Sequence, residues 1–487
     1  MTVNPVPARR WWALAVLCLA QLAVLLDNTV LTVAVPTLSR DLGAGTADVQ
    51  WMVNAYSLVQ AGLLLAAGSA ADRYGRRRLL LAGLAVFGLG SLAAGLAHST
   101  GQLIAARAGM GVGGALLLTT TLALVMQLFD ETERSRAIGA WSAVNALGFA
   151  AGPPIGGLVL AHFHWGAIFL LNLPIVLLGL VAAPLLVPES RGSGAGRPDL
   201  PGALLSSTGL AAVVYAITAA PGHGWSAPRV LLPALGGALL LAAFAQWQRR
   251  ARHPMLDPRF LRDRRFLGAV AGVLLITFGS AGVLFLLAQQ LQFVRGYPPL
   301  EAGLRMAPFA LTVVVLNLAG LAGRLIRRLG SPGAIALGMA LLAGGFAVAA
   351  RSGPDGYPVL LLGLVLMGAG CALANPAIVE AVLGAIPPDR AGAGAGIDAT
   401  LAEIGSSLGV AVLGAVQNAR FGSLLPASLT GAGSLPAAQA AAPTATDRTA
   451  VLTAFASSVE TAQLAGATAV LAGGCLTALL LRRAGRR

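Results

Sequence analysis

Lysine is absent from this chain of 487 residues, and charged side chains of every kind are scarce. The 33 basic residues are therefore all arginine, and charged residues make up 11% of the composition against 56% for hydrophobic residues. Soluble globular proteins carry about 25% charged residues, so this composition excludes that class. Without lysine, the chain cannot form a phosphate-binding loop of the G-x-x-x-x-G-K-[ST] type, which excludes this way of using ATP.

Cysteine and histidine are too few and too scattered for a disulfide framework or a metal site. The three cysteines, at 18, 371 and 475, lie far apart in apolar segments, and the five histidines fall in predicted loops without metal-ligand spacing. No clustered catalytic set is visible near either end of the apolar segments. We therefore expect no enzymatic activity, no metal and no bound cofactor.

Long apolar runs fill the rest of the sequence, whose mean hydropathy is +0.78. About 20 apolar residues span a bilayer as a helix, and these runs are continuous rather than alternating, which predicts helices and not a barrel. The sequence thus predicts an all-α membrane protein with fourteen spans. They are 12–36, 50–71, 79–97, 102–127, 137–160, 166–187, 202–220, 229–247, 267–291, 303–323, 333–350, 358–386, 395–419 and 460–481.

Arginines follow alternate loops along the chain. Clusters occur at 73–78, 249–265, 324–328 and 482–487, while the intervening loops hold only scattered arginines. This asymmetry is the positive-inside pattern, so we expect a multi-pass protein of the cytoplasmic membrane with both termini in the cytoplasm. The net charge of +14 would otherwise favour nucleic acid, but its distribution argues against such a partner.

Two polar stretches divide the spans into six, two and six. The stretch 189–202 is rich in Gly, Ser and Pro, and the stretch 249–266 is rich in Arg. We expect a first six-helix bundle at 1–188, a linker with two additional helices at 189–266, and a second six-helix bundle at 267–487. Residues 423–450 are small and polar, which predicts an external loop of low order.

The turn after the second span, GSAADRYGRRRLL (68–80), carries the pattern G-x-x-x-D-R-x-G-R-R. This pattern resembles the signature loop of the major facilitator superfamily. Gly68 and Gly75 would permit close helix approach and an αL turn, and Asp72 would pair with Arg or lie at a helix N-terminus. The resemblance implies a conformational latch. Its residues are Gly68, Asp72, Arg73, Gly75, Arg76 and Arg77.

Further motifs of the same family follow in order. RAGMGVGGA (107–115) resembles R-x-x-Q-G-x-G-x-A with Met110 in place of Gln, and GFAAGPPIGG (148–157) resembles the motif that marks antiporters. LDNTVLTVAVP (26–36) and WGAIFLLNLPI (165–175) are similar to the fourteen-helix drug:proton antiporters. The resemblance implies two six-helix bundles plus two linker helices. The second-half counterpart of the signature loop, 322–333, departs from it by placing Arg327 where the first half has Asp72.

The antiporter motif also has a physical interpretation from its spacing. Gly148, Gly152 and Gly156 lie four residues apart on one helix face, where they let a neighbouring helix approach closely. Pro153, followed by Pro154, weakens the backbone hydrogen bonding and favours a bend. We expect these residues, together with Gly157, to act in helix packing.

Charged residues inside the spans are the candidate functional groups, because each costs about 2.5–3.5 kcal/mol at mid-helix. Asp27 lies about nine residues from the outer end of its span and Arg107 about five from that of its own, so their depths differ by about 6 Å. The sequence therefore predicts an ion pair or a shared water between them. A purely structural pair remains the alternative.

Three more acids lie in the second half. Glu403 is deep in its span, whereas Glu380 and Asp398 lie near helix ends where water is within reach. Asp398 and Glu403 are about 140° apart around their helix, so they do not share one face. The candidate coupling and substrate residues are Asp27, Arg107, Glu403, Asp398 and Glu380.

The leading hypothesis is efflux of amphipathic compounds, including cations, driven by the proton gradient through alternating access. Burial favours the protonated form of a carboxyl group, so a buried acid can exchange a proton for a substrate. We expect a monomer with small-molecule substrates, protons and membrane lipid as its partners. The alternatives are an importer, a dedicated exporter of one metabolite or antibiotic, and a membrane sensor or lipid-modifying enzyme that transports nothing.

Overall fold

Helices account for the regular structure in every range that the computed structural model describes. These ranges are 7–191, 199–251, 263–353, 356–384, 391–429 and 434–484. In an apolar surrounding, backbone N–H and C=O groups must bond within their own segment, and the long apolar runs do so as helices.

Seven helices form the first bundle. They are α1 (Pro7–Asp41), α2 (Thr46–Tyr74), α3 (Arg76–Gly95), α4 (Thr100–Leu128), α5 (Glu131–His162), α6 (Ala167–Leu170) and α7 (Asn172–Leu186). The short α6 and α7 together make one apolar segment, Ala167–Leu186. Helix α1 packs on α4, α5 and α7, and α4 packs on α2 and α3, so α1 and α4 lie at the centre.

Two helices, α8 (Leu200–His223) and α9 (Pro228–Arg250), form a hairpin between the bundles. Asp199 ties its ends together, because its carboxylate accepts hydrogen bonds from the Gly202 backbone N–H at 2.9 Å and from the Trp247 indole at 2.8 Å. Helix α8 lies against both α2 and α14, one helix from each bundle, whereas α9 packs mainly on α8. The hairpin therefore covers one of the two seams between the bundles.

The second bundle contains the remaining helices. They are α10 (Arg264–Gln289), followed by a π-helical turn (Gln290–Val294), then α11 (Pro299–Leu318), α12 (Leu321–Ala350), α13 (Tyr357–Gly384), α14 (Ala391–Leu424), α15 (Leu435–Ala441) and α16 (Ala445–Ala484). Helix α10 packs on α13, α14 and α16, and α12 packs on α13 and α16.

The number of long helices agrees with the fold predicted from the sequence. In the part of the chain that the structure describes, thirteen helices are long and apolar enough to cross a membrane. The remaining predicted span, 137–160, falls within α5, a helix of 32 residues. The prediction of an all-α polytopic protein with two bundles and two linker helices is confirmed.

The prediction of low order for residues 423–450 is wrong in the described part of that segment. Helix α14 continues to Leu424, α15 occupies Leu435–Ala441, and α16 already begins at Ala445. Leu435 and Ala438 are buried, so this segment packs on its neighbours through small apolar side chains. Because the segment is mostly small and polar in composition, its short apolar face was not detected from the sequence.

Two helix pairs make the most extensive contacts between the bundles, α5 with α11 and α2 with α14. We call the helix ends near the arginines of 73–78, 249–250 and 324–328 the arginine-rich side of the molecule. The other helix ends form the opposite side. Gln292 Nε2, just beyond α10, donates to the Val33 carbonyl of α1 at 2.7 Å. Gln50 Nε2 on α2 donates to the Val410 carbonyl of α14 at 3.1 Å. Both bonds lie toward the opposite side, so the bundles are joined there.

The predicted glycine face of α5 packs on α1. Gly148 faces Leu25, and Gly156 faces Val30. A Cβ added to Gly152 would lie 2.5 Å from the Thr29 Cβ, too close for any side chain. The motif therefore permits close packing of these two helices, as its spacing predicts.

We expect Gly152→Ala to lower stability by about 1–3 kcal/mol, because the new methyl group would force α1 and α5 apart. Gly68→Ala is the matched control, since its Cβ would lie 4.0 Å from the nearest atom, on Thr119. Alanine also favours a helix over glycine by about 1 kcal/mol, so the control should keep or raise the midpoint of thermal unfolding. Equal losses for both variants in purified protein would contradict this account of the α1–α5 contact.

Candidate functional site

Two fully buried side chains form an ion pair at the centre of the first bundle. Asp27 on α1 and Arg107 on α4 pair through the Asp27 Oδ2 and Arg107 Nη1 atoms. Their relative exposures are 4% and 1%, so neither is solvated. The structure thus brings together the two residues that were predicted to lie at a similar depth in the membrane. Removing one partner of a buried pair typically costs about 3–5 kcal/mol, because it leaves an unpaired charge.

Helices α3 and α7 support the acid. Asn172, the first residue of α7, donates through Nδ2 to the Asp27 Oδ1 atom at 3.2 Å and to the Ser91 hydroxyl at 3.2 Å. Sequence reasoning did not assign Asn172 or Ser91 to the site. The available signal was an amide within the apolar stretch 165–175, a stretch that is similar to the drug:proton antiporters.

Helix α2 supports the arginine. Arg107 Nε donates to the Met52 carbonyl at 3.1 Å, and the guanidinium carbon lies 4.4 Å from the centre of the Tyr56 ring. A cation over an aromatic face is stabilised by the ring quadrupole, most strongly where water is excluded. Arg107 therefore contacts a carboxylate, a carbonyl and an aromatic ring, which together offset part of its desolvation.

Glu403 on α14 approaches this group from the second bundle. Its carboxyl group lies beside the Ser57 hydroxyl of α2 and within electrostatic range of Arg107, although the two do not form an ion pair within 4.0 Å. In contrast to Asp27, Glu403 is partly exposed. One arginine therefore interacts with an acid from each half of the chain.

The other two candidate acids lie elsewhere. Asp398 is partly exposed on α14, one and a half turns from Glu403, and it has no interaction with Arg107. Glu380 is exposed on α13, where its carboxylate accepts a hydrogen bond from Ser331 at 3.1 Å. The structure therefore separates both from the charged group around Arg107.

Some buried polar atoms around the Glu403 side of the site have no protein partner among the residues that the structure describes. They are the amide atoms of Asn54 and the Ser407 hydroxyl, whereas the Tyr56 hydroxyl and the Gln60 amide lie beside each other. Ser407 lies one turn beyond Glu403, and the other three lie on α2 with Ser57. Buried polar groups are normally hydrogen-bonded, so the Asn54 amide and the Ser407 hydroxyl are available to water or to a polar substrate.

The glycines of the 107–115 motif bring α4 close to its neighbours. A Cβ on Gly111 would lie 2.5 Å from the Tyr56 carbonyl of α2, and one on Gly113 would lie 2.6 Å from the Phe87 N atom of α3. Met110, which replaces the usual Gln, is fully buried and packs at Gly90. The motif therefore holds Arg107 at a fixed distance from α2 and α3.

The predicted latch lies at the turn between α2 and α3. Asp72 Oδ1 accepts from Arg76 Nε at 2.9 Å, and Arg76 Nη1 donates to the Gln127 side chain of α4 at 3.0 Å. Glu189, just after α7, accepts from the Arg77 backbone N–H at 3.1 Å and lies 3.6 Å from the Arg78 guanidinium. These bonds join α2, α3, α4 and the end of α7 on the arginine-rich side.

Three details of the latch differ from the sequence prediction. Gly75 has φ 115° and ψ 127°, a positive φ that requires glycine but lies outside the αL region. Gly68 makes no close helix contact, since its Cβ would meet only Thr119 at 4.0 Å. Arg73 is exposed and lies over the Tyr74 ring at 5.8 Å, apart from the Asp72 bonds.

Comparison with known proteins identifies the family. Residues 17–410 match the family described as Major Facilitator Superfamily. The chain is 37% identical over 403 residues to the Multidrug resistance protein Stp of Mycobacterium tuberculosis, an alignment that covers 82% of this chain and 75% of that protein. It is 38% identical over 427 residues to the Methyl viologen resistance protein SmvA of Salmonella typhimurium, covering 86% of each.

A solved structure shows the same fold. It is a bacterial homolog of the human lysosomal transporter Spinster, in an inward-facing and unoccupied conformation, and it superposes with a TM-score of 0.69 at 18% identity over 98% of each chain. The family match spans most of the sequence and the relatives are more than a third identical, so this chain belongs to the Major Facilitator Superfamily.

Proposed function

We propose that the chain exports small amphipathic drugs or antibiotics, including cations, in exchange for protons. The observation that carries this proposal is the position of Arg107, which interacts with Asp27 from the first bundle and with Glu403 from the second. The names of the relatives, a multidrug and a methyl viologen resistance protein, support drug efflux.

Charge balance explains how protons and cations would compete. With both acids ionised, Asp27 and Glu403 carry two negative charges against one positive charge on Arg107. A residual negative charge in a low-dielectric site is unfavourable, and either one proton or one monovalent organic cation neutralises it. Because a proton and an organic cation neutralise the same negative charge, binding of one disfavours binding of the other, which is the requirement for antiport.

The positions of these residues in two different bundles would couple the exchange of protons and substrate to a change of conformation. Asp27 and Arg107 belong to one bundle and Glu403 to the other, so a change in the charge of Glu403 changes the attraction between the bundles. A ligand shifts a conformational equilibrium only through such differential interactions. We assign the arginine-rich side to the cytoplasm by the positive-inside pattern, and we propose that a monomer rocks about the charged group in the cytoplasmic membrane.

The function is tested in inverted membrane vesicles with an imposed pH gradient and ethidium, a fluorescent organic cation. We expect gradient-driven uptake by the wild-type chain, and loss of that uptake to the level of empty vesicles in Glu403→Gln, because glutamine cannot exchange a proton. Asp398→Asn is the matched control on the same helix, since Asp398 has no interaction with Arg107. Wild-type uptake by Glu403→Gln would refute the coupling role of Glu403.

A second experiment separates a functional Asp27–Arg107 pair from a structural one. Asp27→Asn and Arg107→Gln each leave one unpaired buried group, so each should lose about 3–5 kcal/mol of stability. The double variant removes both charges and should recover membrane insertion and thermal stability. We expect it to remain inactive in ethidium uptake. Recovery of uptake together with stability would show that the pair serves structure alone.

The latch is proposed to stabilise one of the two conformations of the transporter. Opening on the opposite side is measured by the labelling of a single cysteine, introduced as Thr37→Cys one turn beyond Val33 on α1. The native cysteines 18, 371 and 475 are removed from this variant. Asp72→Asn removes the negative charge that pairs with Arg76, so we expect a changed rate of labelling of the reporter by an impermeant maleimide in intact cells. Arg73→Gln is the control, because Arg73 lies outside the bonded cluster. Unchanged labelling in Asp72→Asn would remove the latch role.

A further inference from the structure

The counterpart of the signature loop in the second half has lost its acid and kept its arginines. In the first half, Asp72 binds Arg76, and Glu189 lies beside Arg77 and Arg78. In the second half, all the arginines of the loop are exposed, and none forms an ion pair with a residue that the structure describes. They are Arg324, Arg327 and Arg328. Their positive charge is therefore available to an anion from outside the chain.

These arginines lie at the end of a crevice of about 620 Å³ between α11, α12 and α13. Apart from the arginines, its walls are apolar. They include Leu316 on α11, Leu325 and Leu341 on α12, and Ala369, Ala372 and Leu373 on α13. A cationic end joined to an apolar cavity fits an amphiphile with an anionic head, and it does not fit a free inorganic anion, which gains nothing from apolar walls.

The depth of the crevice corresponds to one leaflet of a bilayer. Helix α12 turns sharply at Gly330, where φ is 70° and ψ is 161°, and Leu341 lies 11 residues farther along the helix. At 1.5 Å per residue, this distance is about 16 Å. The hydrocarbon core of a bilayer is about 30 Å thick, so the crevice reaches approximately to its midplane.

Exposed apolar side chains next to the crevice indicate that it opens toward lipid. On α11, Leu311, Val315 and Leu318 are 53%, 59% and 81% exposed, and on α12 Leu321 is 46% exposed. Helices in a bilayer carry such residues on the surface that faces the acyl chains. A lipid can therefore enter sideways from the leaflet, without passing through the space between the bundles.

We propose that this crevice binds an anionic phospholipid of the arginine-rich leaflet, with its phosphate at Arg324, Arg327 and Arg328 and an acyl chain along the walls of α11, α12 and α13. Basic pockets between membrane helices bind anionic lipid headgroups by the same electrostatics. Glu380 on α13 lies toward the same side, but its carboxylate is engaged by Ser331 and forms no ion pair with the loop arginines. The site is separate from the charged group around Arg107.

The test uses native mass spectrometry of the purified full chain with an equimolar mixture of phosphatidylglycerol and phosphatidylcholine. One basic residue near an anionic surface contributes about a fivefold factor, and three such factors multiply to about a hundredfold. We expect an enrichment of bound phosphatidylglycerol of at least about tenfold, because the three contributions need not be fully additive. Arg324→Gln/Arg327→Gln/Arg328→Gln should reduce this enrichment to near unity. The control is Arg191→Gln/Arg249→Gln/Arg250→Gln, which removes the same charge from exposed arginines on the same side and should leave the enrichment unchanged.

Two further arms locate the lipid. Ala372→Phe fills the crevice and keeps the arginines, so it should lose the tightly bound phosphatidylglycerol while eluting as a monodisperse species. Glycerol 3-phosphate, a soluble phosphate without acyl chains, should not displace the lipid. Equal binding of the two lipids, full enrichment in the loop variant or in Ala372→Phe, or displacement by glycerol 3-phosphate would each overturn the proposal.

Discussion

The cost of placing a charge in an apolar surrounding determines how this molecule is organised. Asp27 and Arg107 are buried within the first bundle, and each is held by partners on other helices, namely Asn172 for the acid and Tyr56 for the arginine. An unpaired charge at this depth would cost several kcal/mol, so five helices must be positioned together before the pair is stable. The same requirement makes the pair sensitive to any third charge, which Glu403 supplies from the second bundle.

Glycines permit close helix packing both within the first bundle and between the bundles, where a Cβ on Gly303 of α11 would lie 2.2 Å from the Pro153 carbonyl of α5. Within the first bundle, glycines such as Gly111 and Gly152 bring helix backbones into direct contact, and such packing does not slide without a large loss of dispersion energy. On the opposite side, Gln292 also donates one hydrogen bond to a backbone carbonyl across the bundles, and Gln50 donates two. Each such bond contributes about 0.5–1.5 kcal/mol net, so opening on this side has to break the α5–α11 packing as well as these bonds.

The sequence predicted those features that depend on composition and on the position of a residue along its span. The fourteen apolar spans, the glycine face of α5 and the pairing of Asp27 with Arg107 follow from length, spacing and arginine distribution. It missed Asn172, Ser91 and Tyr56, because the angular position of a side chain toward the ion pair depends on helix rotation, which spacing does not determine. Gly68 was misassigned for a related reason, since a glycine in a motif does not reveal whether a neighbour lies within 4.0 Å.

The two halves of the chain show how one repeated loop can acquire different roles. In the first half, Asp72 and Glu189 pair with arginines of the loop, so the loop binds α4 and the end of α7. In the second half, Arg327 occupies the position of the acid, and like charges on the same turns repel one another. An acid within the chain or an anion outside it can relieve that repulsion. Because no described acid pairs with these arginines, their arrangement is most stable when the surrounding leaflet supplies the negative charge.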